Sequence, residues 1–498
     1  MRLHWHRTDL RPSDNLALVS SDDSVARSAT GSEEHSSSGS QPEADDNRTG
    51  SGDDPILPVY VFDPKILAHA APPRVAFVLD SLADLREWYR QRESDLVIVR
   101  GEAPAELARL ADAHDADGVS WAQAYSGLGR RRDDRVRERL DEMGVDAHVV
   151  HNHLHHEPGS ITTNQGEPYS VYSYFWKKWR DREKRSAVQA PGADRLASPT
   201  HDTPIPTLDD LGFDDPEAEI PPGGYTEARH RLNDFCADDI YRYEDARDDP
   251  AADATSRLSP HLTHGTVGIR TVHDRVVRAR ESAPDDTARE AVETFRGELA
   301  WREFYHHVLY FNPEVVTENY RDYENRIEWR DDEEALQAWK DGETGYPIVD
   351  AGMRQLRREA YMHNRVRMIV ASFLTKDLLL DWREGYDWFR RKLVDHNPAN
   401  DNGGWQWAAS TGTDAQPYFR IFNPMTQGER HDPDAAYIRE YVPELRGVDP
   451  DLIHDWHELS PTQRRRTAPD YPAPIVDHGE RREQALAMFE RARGESSE

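Results

Sequence analysis

Cysteine is almost absent from this chain: Cys236 stands alone among 498 residues, which excludes an intrachain disulfide and makes a cytoplasmic setting the expectation. Long apolar runs are missing too. No stretch approaches the roughly 20 residues that cross a bilayer as a helix, and the opening MRLHWHRTDLRPSDN lacks the apolar centre of a secretory leader. Lysine is scarce, so the 62 basic residues are mostly arginine, and they face 93 Asp and Glu for a formal net charge of −31. That balance argues against bulk attraction to nucleic acid and for a surface kept hydrated in high salt. What is plentiful is aromatic: 13 Trp and 20 Tyr suit a large interior, and the length exceeds what one core supports, so two or three domains are expected.

The first third alternates short apolar runs (LHWH, PILPVYVF, LVIVRG, GVSWAQ, AHVVHN) with amphipathic, charged segments. This predicts a doubly wound parallel α/β domain over 1–150, with ligands beyond the carboxyl ends of its strands. Residues from about 20 to 54 are rich in Ser, Gly, Asp and Glu and read as a disordered acidic insertion. A Pro-, Asp- and Ala-rich stretch from about 186 to 224 marks 151–224 as the interdomain linker. Helical periodicity then runs to the end, as in DAGMRQLRREAYMHNRVRMIVASFLTKDLLL, which predicts an all-α domain over 225–498.

The chemistry gathers in the second half. In DHNPANDNGGWQWAASTGTDAQPYFRIFNP, Asp395, Asn397 and Asp401 offer acceptors to a ligand with N–H groups, Gly403 and Gly404 permit close backbone approach, and Trp405 and Trp407 supply ring faces. A buried loop packed on tryptophans has the same spelling. Thr255, Ser256 and Ser259 in YEDARDDPAADATSRLSPHLTHG suit a pyrophosphate at a helix start, or a plain helix cap. In FRGELAWREFYHHVLY, Glu298, Trp301 and Tyr305 share a helical face. Arg354, Arg357, Arg358, Arg365 and Arg367, followed by Arg383, Arg390, Arg391 and Lys392, could form a basic patch on an acidic body, or a solvated helix face. HNHLHHEP holds possible metal ligands His151, His153, His155, His156 and Glu157, but without a second ligand pair it reads as the polar end of the last strand, and no metal is expected.

Taken as literal strings, these segments resemble the DNA photolyase and cryptochrome family, closest to class I cyclobutane pyrimidine dimer photolyases, over nearly the whole chain apart from the insertion and the linker. The resemblance implies FAD held by Tyr243, Thr255, Ser256, Arg257, Leu258, Ser259, Phe295, Glu298, Arg302, Asn364, Arg367, Asp395, Asn397 and Asp401. It implies damaged DNA contacted by Arg247, Trp301, Arg365, Met368, Trp407 and Gln427, with Arg420 nearby, and a lesion flipped into a pocket. Glu298 and Asn364 would act on the dimer, and Trp405, Trp382 and Trp329 would carry electrons inward from the surface. The activity implied is light-driven repair by a monomer; the rival is a blue-light cryptochrome, which would carry a C-terminal extension beyond FERARG.

Three spellings depart from that family. Phe295 stands where many relatives have tryptophan, and Asp401 where class I enzymes have an asparagine facing flavin N5. Plant cryptochromes also place an aspartate at the latter position. AQAYSGLGRRRDD lacks the Asn and Glu of folate-binding relatives, so a second, antenna chromophore would be 8-hydroxy-5-deazaflavin rather than methenyltetrahydrofolate.

Overall fold

The protein is described from a computed structural model over residues 1–19, 54–199 and 203–495. The acidic insertion expected at about 20–54 lies outside these residues, apart from Asp54. Five strands, β1 (Arg2–His6), β2 (Ile56–Phe62), β3 (Val97–Arg100), β4 (Gly118–Ala122) and β5 (Asp146–Val150), pair in the all-parallel order β3-β2-β1-β4-β5. Inner strands β1 and β4 are buried along their whole length, the polar Arg2, His4, His6 and Ser120 included, whereas edge strand β5 is partly exposed. Helices cover both faces. Leu82, Leu85 and Tyr89 of α1 (Pro72–Arg90) pack with Phe62 and Ile98. Leu107 of α2 (Ala103–Ala113) and Val136 and Leu140 of α3 (Gly127–Asp141) pack with Trp5, Val59 and Trp121 on the other side.

The stretch read as a linker contains a helix of its own, α4 (Tyr172–Asp181), whose Phe175 and Trp179 are buried among helices further along the chain. From Tyr225 onward all regular structure is helical among the described residues. The helices that build the site are α5 (Tyr243–Ala246), α6 (Ser259–His264), α7 (Ile269–Glu281), α8 (Asp286–Phe311), α9 (Pro347–Glu359), α10 (Asn364–Ser372), α11 (Trp382–Lys392) and α12 (Pro398–Ala408). The run from Asp350 to Leu380, expected to be helical, folds as separate helices. Ala360 ends α9 in the left-handed region at φ 50°, His363 accepts the Arg365 N–H to cap α10, and a π turn follows at Phe373–Asp377. This break presents Asn364 at a helix start instead of burying it on a helix side.

Sheet and helices are joined by the loop after β1. Asp14, fully buried, pairs with Arg270 of α7, and Arg11 donates to Gly265 O at 2.9 Å and Asp14 O at 2.8 Å. The approach is close enough that a Cβ at Gly265 would overlap the Thr8 backbone, and one at Gly268 would overlap Asp14. Removing one partner of a buried ion pair leaves an uncompensated charge, at a cost of about 3–5 kcal/mol. Asp14→Ala should therefore lower the unfolding free energy by roughly that amount, and denaturant titration followed by tryptophan fluorescence will measure it.

Candidate active site

An ion pair sets the floor of the site. Arg367, on α10, donates to Asp395 Oδ2 at 2.8 Å, and Ser259 Oγ donates to the same oxygen at 2.5 Å. Arg367 Nε also holds Met362 O at 2.8 Å, and Nη1 lies 4.0 Å from Asp401 Oδ1. Burial pulls this guanidinium down, but Asp395 and Asp401 outweigh it and leave its pKa above the ordinary value. The second Asp395 oxygen is buried without a partner, and a desolvated anionic acceptor of this kind suits a ligand N–H. Asp401 Oδ2 lies 2.5 Å from His396 Nδ1, both side chains being 8 % exposed. Asn397 accepts the N–H groups of Ala399 and Asn400, so it caps α12 and fixes the turn that carries Asp401.

The walls come from α5, α6, α8 and the loop before α6. Tyr243 meets Phe295 edge-on at 5.2 Å, and Phe295 lies 4.7 Å from Phe235, an aromatic wall without a polar group on its central ring. Thr255, Ser256 and Arg257 are partly buried, Leu258 is buried, and α6 starts with no side-chain cap. Arg257 has φ 45°, and its guanidinium is held by Asp253 at 2.8 Å and by Glu359 at 3.4 Å, 5.0 Å over Tyr361. A Cβ at Gly403 would overlap the Tyr305 ring, whereas Gly404 faces open space. Arg302 reaches His153 O at 2.9 Å and Leu262 O at 3.5 Å, clasping α6 to the loop after β5.

The outer face carries the remaining expected residues. Asn364 is exposed with its amide 4.0 Å from Met368 Sδ, one turn along α10. Glu298 accepts from Arg247 at 2.7 Å; burial raises this carboxyl's pKa and Arg247 only partly opposes that. Trp301 stacks on Tyr172 with centroids 3.6 Å apart and planes 9° from parallel, and Tyr305 lies 5.5 Å beyond it. Trp407 is half-buried against Phe422 at 6.3 Å, Gln427 is half-buried and Arg420 exposed. The arginine-rich run does not form an unpaired stripe. Arg365 is forked onto Asp248 at 2.8 Å, Arg354 onto Glu444, Arg383 onto Asp381, Arg390 and Arg391 onto Asp387, and Lys392 onto Glu217. Arg357 and Arg358 stand 3.8 and 3.9 Å from Asp341 and Glu440.

The three expected tryptophans lie in one helical core and its surface. Trp405 is 2 % exposed, beside Phe389 at 5.0 Å and over Gly385, where any Cβ would overlap its ring. Trp382 is fully buried and donates to Asn319 Oδ1 at 2.9 Å. Trp329 is half-buried and lines a surface groove of 650 Å³ together with Leu380 and Asp381, the neighbours of Trp382.

The histidine run is not on a strand, since β5 ends at Val150. His151 pairs with Glu157 at 2.7 Å, His153 with Thr8 at 3.1 Å, and the backbone N–H groups of His155 and His156 bind the buried Glu303. Sequence reasoning missed Tyr172, Asp248 and His396. His396 was inside the quoted acidic run and could have been found there; Tyr172 and Asp248 reach their partners only through folding over 129 and 117 positions.

Comparison with known proteins follows the same outline. Residues 2–193 match the DNA photolyase family and residues 295–491 the FAD binding domain of DNA photolyase. A deoxyribodipyrimidine photo-lyase of Halobacterium salinarum is 58 % identical, covering 99 % of this chain and 100 % of that one. The crystal structure of a bacterial class III photolyase from Agrobacterium tumefaciens superposes with a TM-score of 0.86 at 36 % identity, covering 99 % of this chain and 98 % of its own. An archaeal photolyase from Sulfolobus tokodaii, solved with two FAD molecules, gives 0.79 at 30 % identity over 98 % and 99 % of the two chains. With both halves matched and the full length shared, the chain belongs to the DNA photolyase and cryptochrome family.

Proposed function

We propose that this protein uses light and FAD to split cyclobutane pyrimidine dimers in damaged DNA. The observation that carries this reading is the shared face of α10: Asn364, Arg367 and Met368 lie within one helical turn, with Arg367 bonded to Asp395 and its spare buried oxygen and the exposed Asn364 beside Met368. One helix face thus joins the cofactor groups to the substrate groups. The chemistry supplied by bound FAD is light-driven donation of one electron to the lesion and its recovery, with no net redox change.

The residues present fit that cofactor. Asp395 offers a buried acceptor, with Arg367 as the cation beside it, and the uncapped start of α6 offers Thr255, Ser256 and the Ser259 backbone N–H as donors for a pyrophosphate, the Ser259 hydroxyl being directed at Asp395. Tyr243, Phe295 and Leu258 supply the apolar wall, Arg257, Arg302 and Asn397 hold that wall and floor in place, and Asp401 with His396 forms a buried polar pair beside Arg367. On the substrate side Trp301, oriented from behind by Tyr172, stacks on the flipped lesion, and Glu298 and Asn364 hydrogen-bond it. Met368 packs against it, and Trp407 and Gln427 border the DNA. Arg247, Arg365 and Arg420 take backbone phosphates. Trp329, Trp382 and Trp405 run from a half-exposed ring to buried ones, the order needed to reduce oxidised FAD from the surface.

We further read 1–150 as an antenna domain, 151–224 as the connection and 225–498 as the catalytic domain, acting as a monomer. A second chromophore at the carboxyl ends of the strands would be 8-hydroxy-5-deazaflavin in preference to methenyltetrahydrofolate. No helix among the described residues is long and apolar enough to cross a membrane, and the lone, buried Cys236 fits a cytoplasmic setting.

Illumination of the fully reduced, FAD-loaded protein with an oligonucleotide containing one thymine dimer should remove the lesion. No loss of dimer under full reduction would favour a photoreceptor without repair. Glu298→Ala and Asn364→Ala should retain FAD yet repair roughly tenfold less per absorbed photon, since each deletes a hydrogen bond to a group that becomes charged. Trp329→Phe should leave FAD content and repair by pre-reduced protein unchanged while slowing photoreduction of oxidised FAD, followed by its absorbance. Photoreduction at the parent rate would assign the surface step to another ring.

A further inference from the structure

Four charges on the open side of the site form a closed set. Arg247, at the end of α5, donates to Glu298 Oε1 at 2.7 Å and lies 4.0 Å from Asp248 Oδ1, and Asp248 takes the fork of Arg365 at 2.8 Å. Two cations and two carboxylates cancel. The set is nevertheless placed where phosphates are expected, so each arginine must leave a carboxylate to meet one. The two carboxylates differ in what happens next. Asp248 keeps 40 % of its side-chain surface exposed and faces His431, and Glu298 keeps 33 % exposed in the free protein, so the difference between them arises only when a stacked lesion covers Glu298 and leaves Asp248 in water. Glu298 sits on α8 facing Arg247, Asp248 and Glu244 of the α5 segment, Tyr243 of α5, Tyr172 of α4 and Tyr305 of its own helix. Arg247 is the one cation bonded to it among the described residues. Without it, Glu298 would stand among anions and phenols beneath a stacked lesion that removes the remaining water.

We propose that Arg247 is a changeover contact: it neutralises Glu298 in the free protein and moves to a DNA phosphate on binding. Glu298 then takes one proton from solvent and presents an O–H donor to a carbonyl of the lesion. This rests on the reading of the site as one for damaged DNA. Burial already holds the Glu298 carboxyl above the usual carboxylate value with Arg247 in place, so loss of that cation raises it further. A group whose pKa is higher in the complex binds a proton on association. The added affinity is complete below the free-state value and is lost as pH rises toward the bound-state value, by up to about tenfold per pH unit.

The test uses the full, FAD-loaded chain in the dark with a short duplex carrying one thymine dimer and its undamaged counterpart, titrated from about pH 5 to about pH 9 at fixed salt. Calorimetry in buffers of different ionisation heat counts the protons. Uptake of close to one proton with the dimer duplex is expected. Glu298→Gln, which keeps an N–H donor, should bind the dimer with no proton uptake and a flat pH profile, while Asp248→Asn and His431→Gln should keep the uptake. FAD absorbance checks that each variant is folded. Dimer preference without proton uptake in the parent, or uptake that persists in Glu298→Gln, would overturn the changeover and leave the functional reading standing. Equal affinity for both duplexes would instead remove that reading.

Discussion

Arg367 is the constraint on which the rest of the site depends. Its guanidinium touches Asp395 directly, Asp395 draws in Ser259 from the start of α6, and Asp401 approaches from the first turn of α12. Two chain segments, the start of α6 before it in sequence and the Asp395–Asp401 turn after it, are thereby fixed to one helix. A buried ion pair of this kind is not a strong source of stability, because desolvation cancels much of its attraction. Its effect is on position: a guanidinium has a rigid fork, and the carboxylates that satisfy it cannot slide. The spare Asp395 oxygen is consequently held where a ligand can meet it.

The outer face obeys the opposite logic. In a chain with 93 acidic residues, nearly every arginine near the site already has a carboxylate, as Arg365 has Asp248 and Arg354 has Glu444. A phosphate reaching these arginines would therefore exchange partners with a carboxylate instead of filling an empty cationic groove. Counterion release contributes little at high salt, and under the proposed function discrimination would rest on stacking over Trp301 and on hydrogen bonds at Glu298 and Asn364. Tyr172 matters for the same reason: stacked at 3.6 Å and donating its hydroxyl to Gly297 O at 2.7 Å, it fixes the Trp301 ring to α8 before any ligand arrives.

Much of this was legible in the sequence. The five parallel strands of a doubly wound domain followed from short apolar runs alternating with amphipathic segments, whereas their order β3-β2-β1-β4-β5 did not. The family strings located Glu298, Asn364, Arg367, Asp395 and the three tryptophans, and the structure brings Arg367, Asp395 and Asp401 within reach of one another. The errors have physical causes. The histidine run after Val150 follows a chain that turns away to clasp Glu303, so strand alternation never applied. The division of the second-half helical run at Ala360 went unread, since a single residue in the left-handed region leaves no mark in apolar spacing.

By itself the sequence determined what periodicity and chemistry carry locally: two structural halves, the aromatic and carboxylate residues available, and the strings that place the chain in its family. The tertiary structure alone decided which of these groups are spent on one another. Arg302 clasps two backbone carbonyls, His396 belongs to Asp401, Asp248 holds Arg365, and Arg247 is bound to Glu298. Pairing between charges depends on separations of a few ångströms across segments distant in the chain, and neither composition nor spacing encodes that distance.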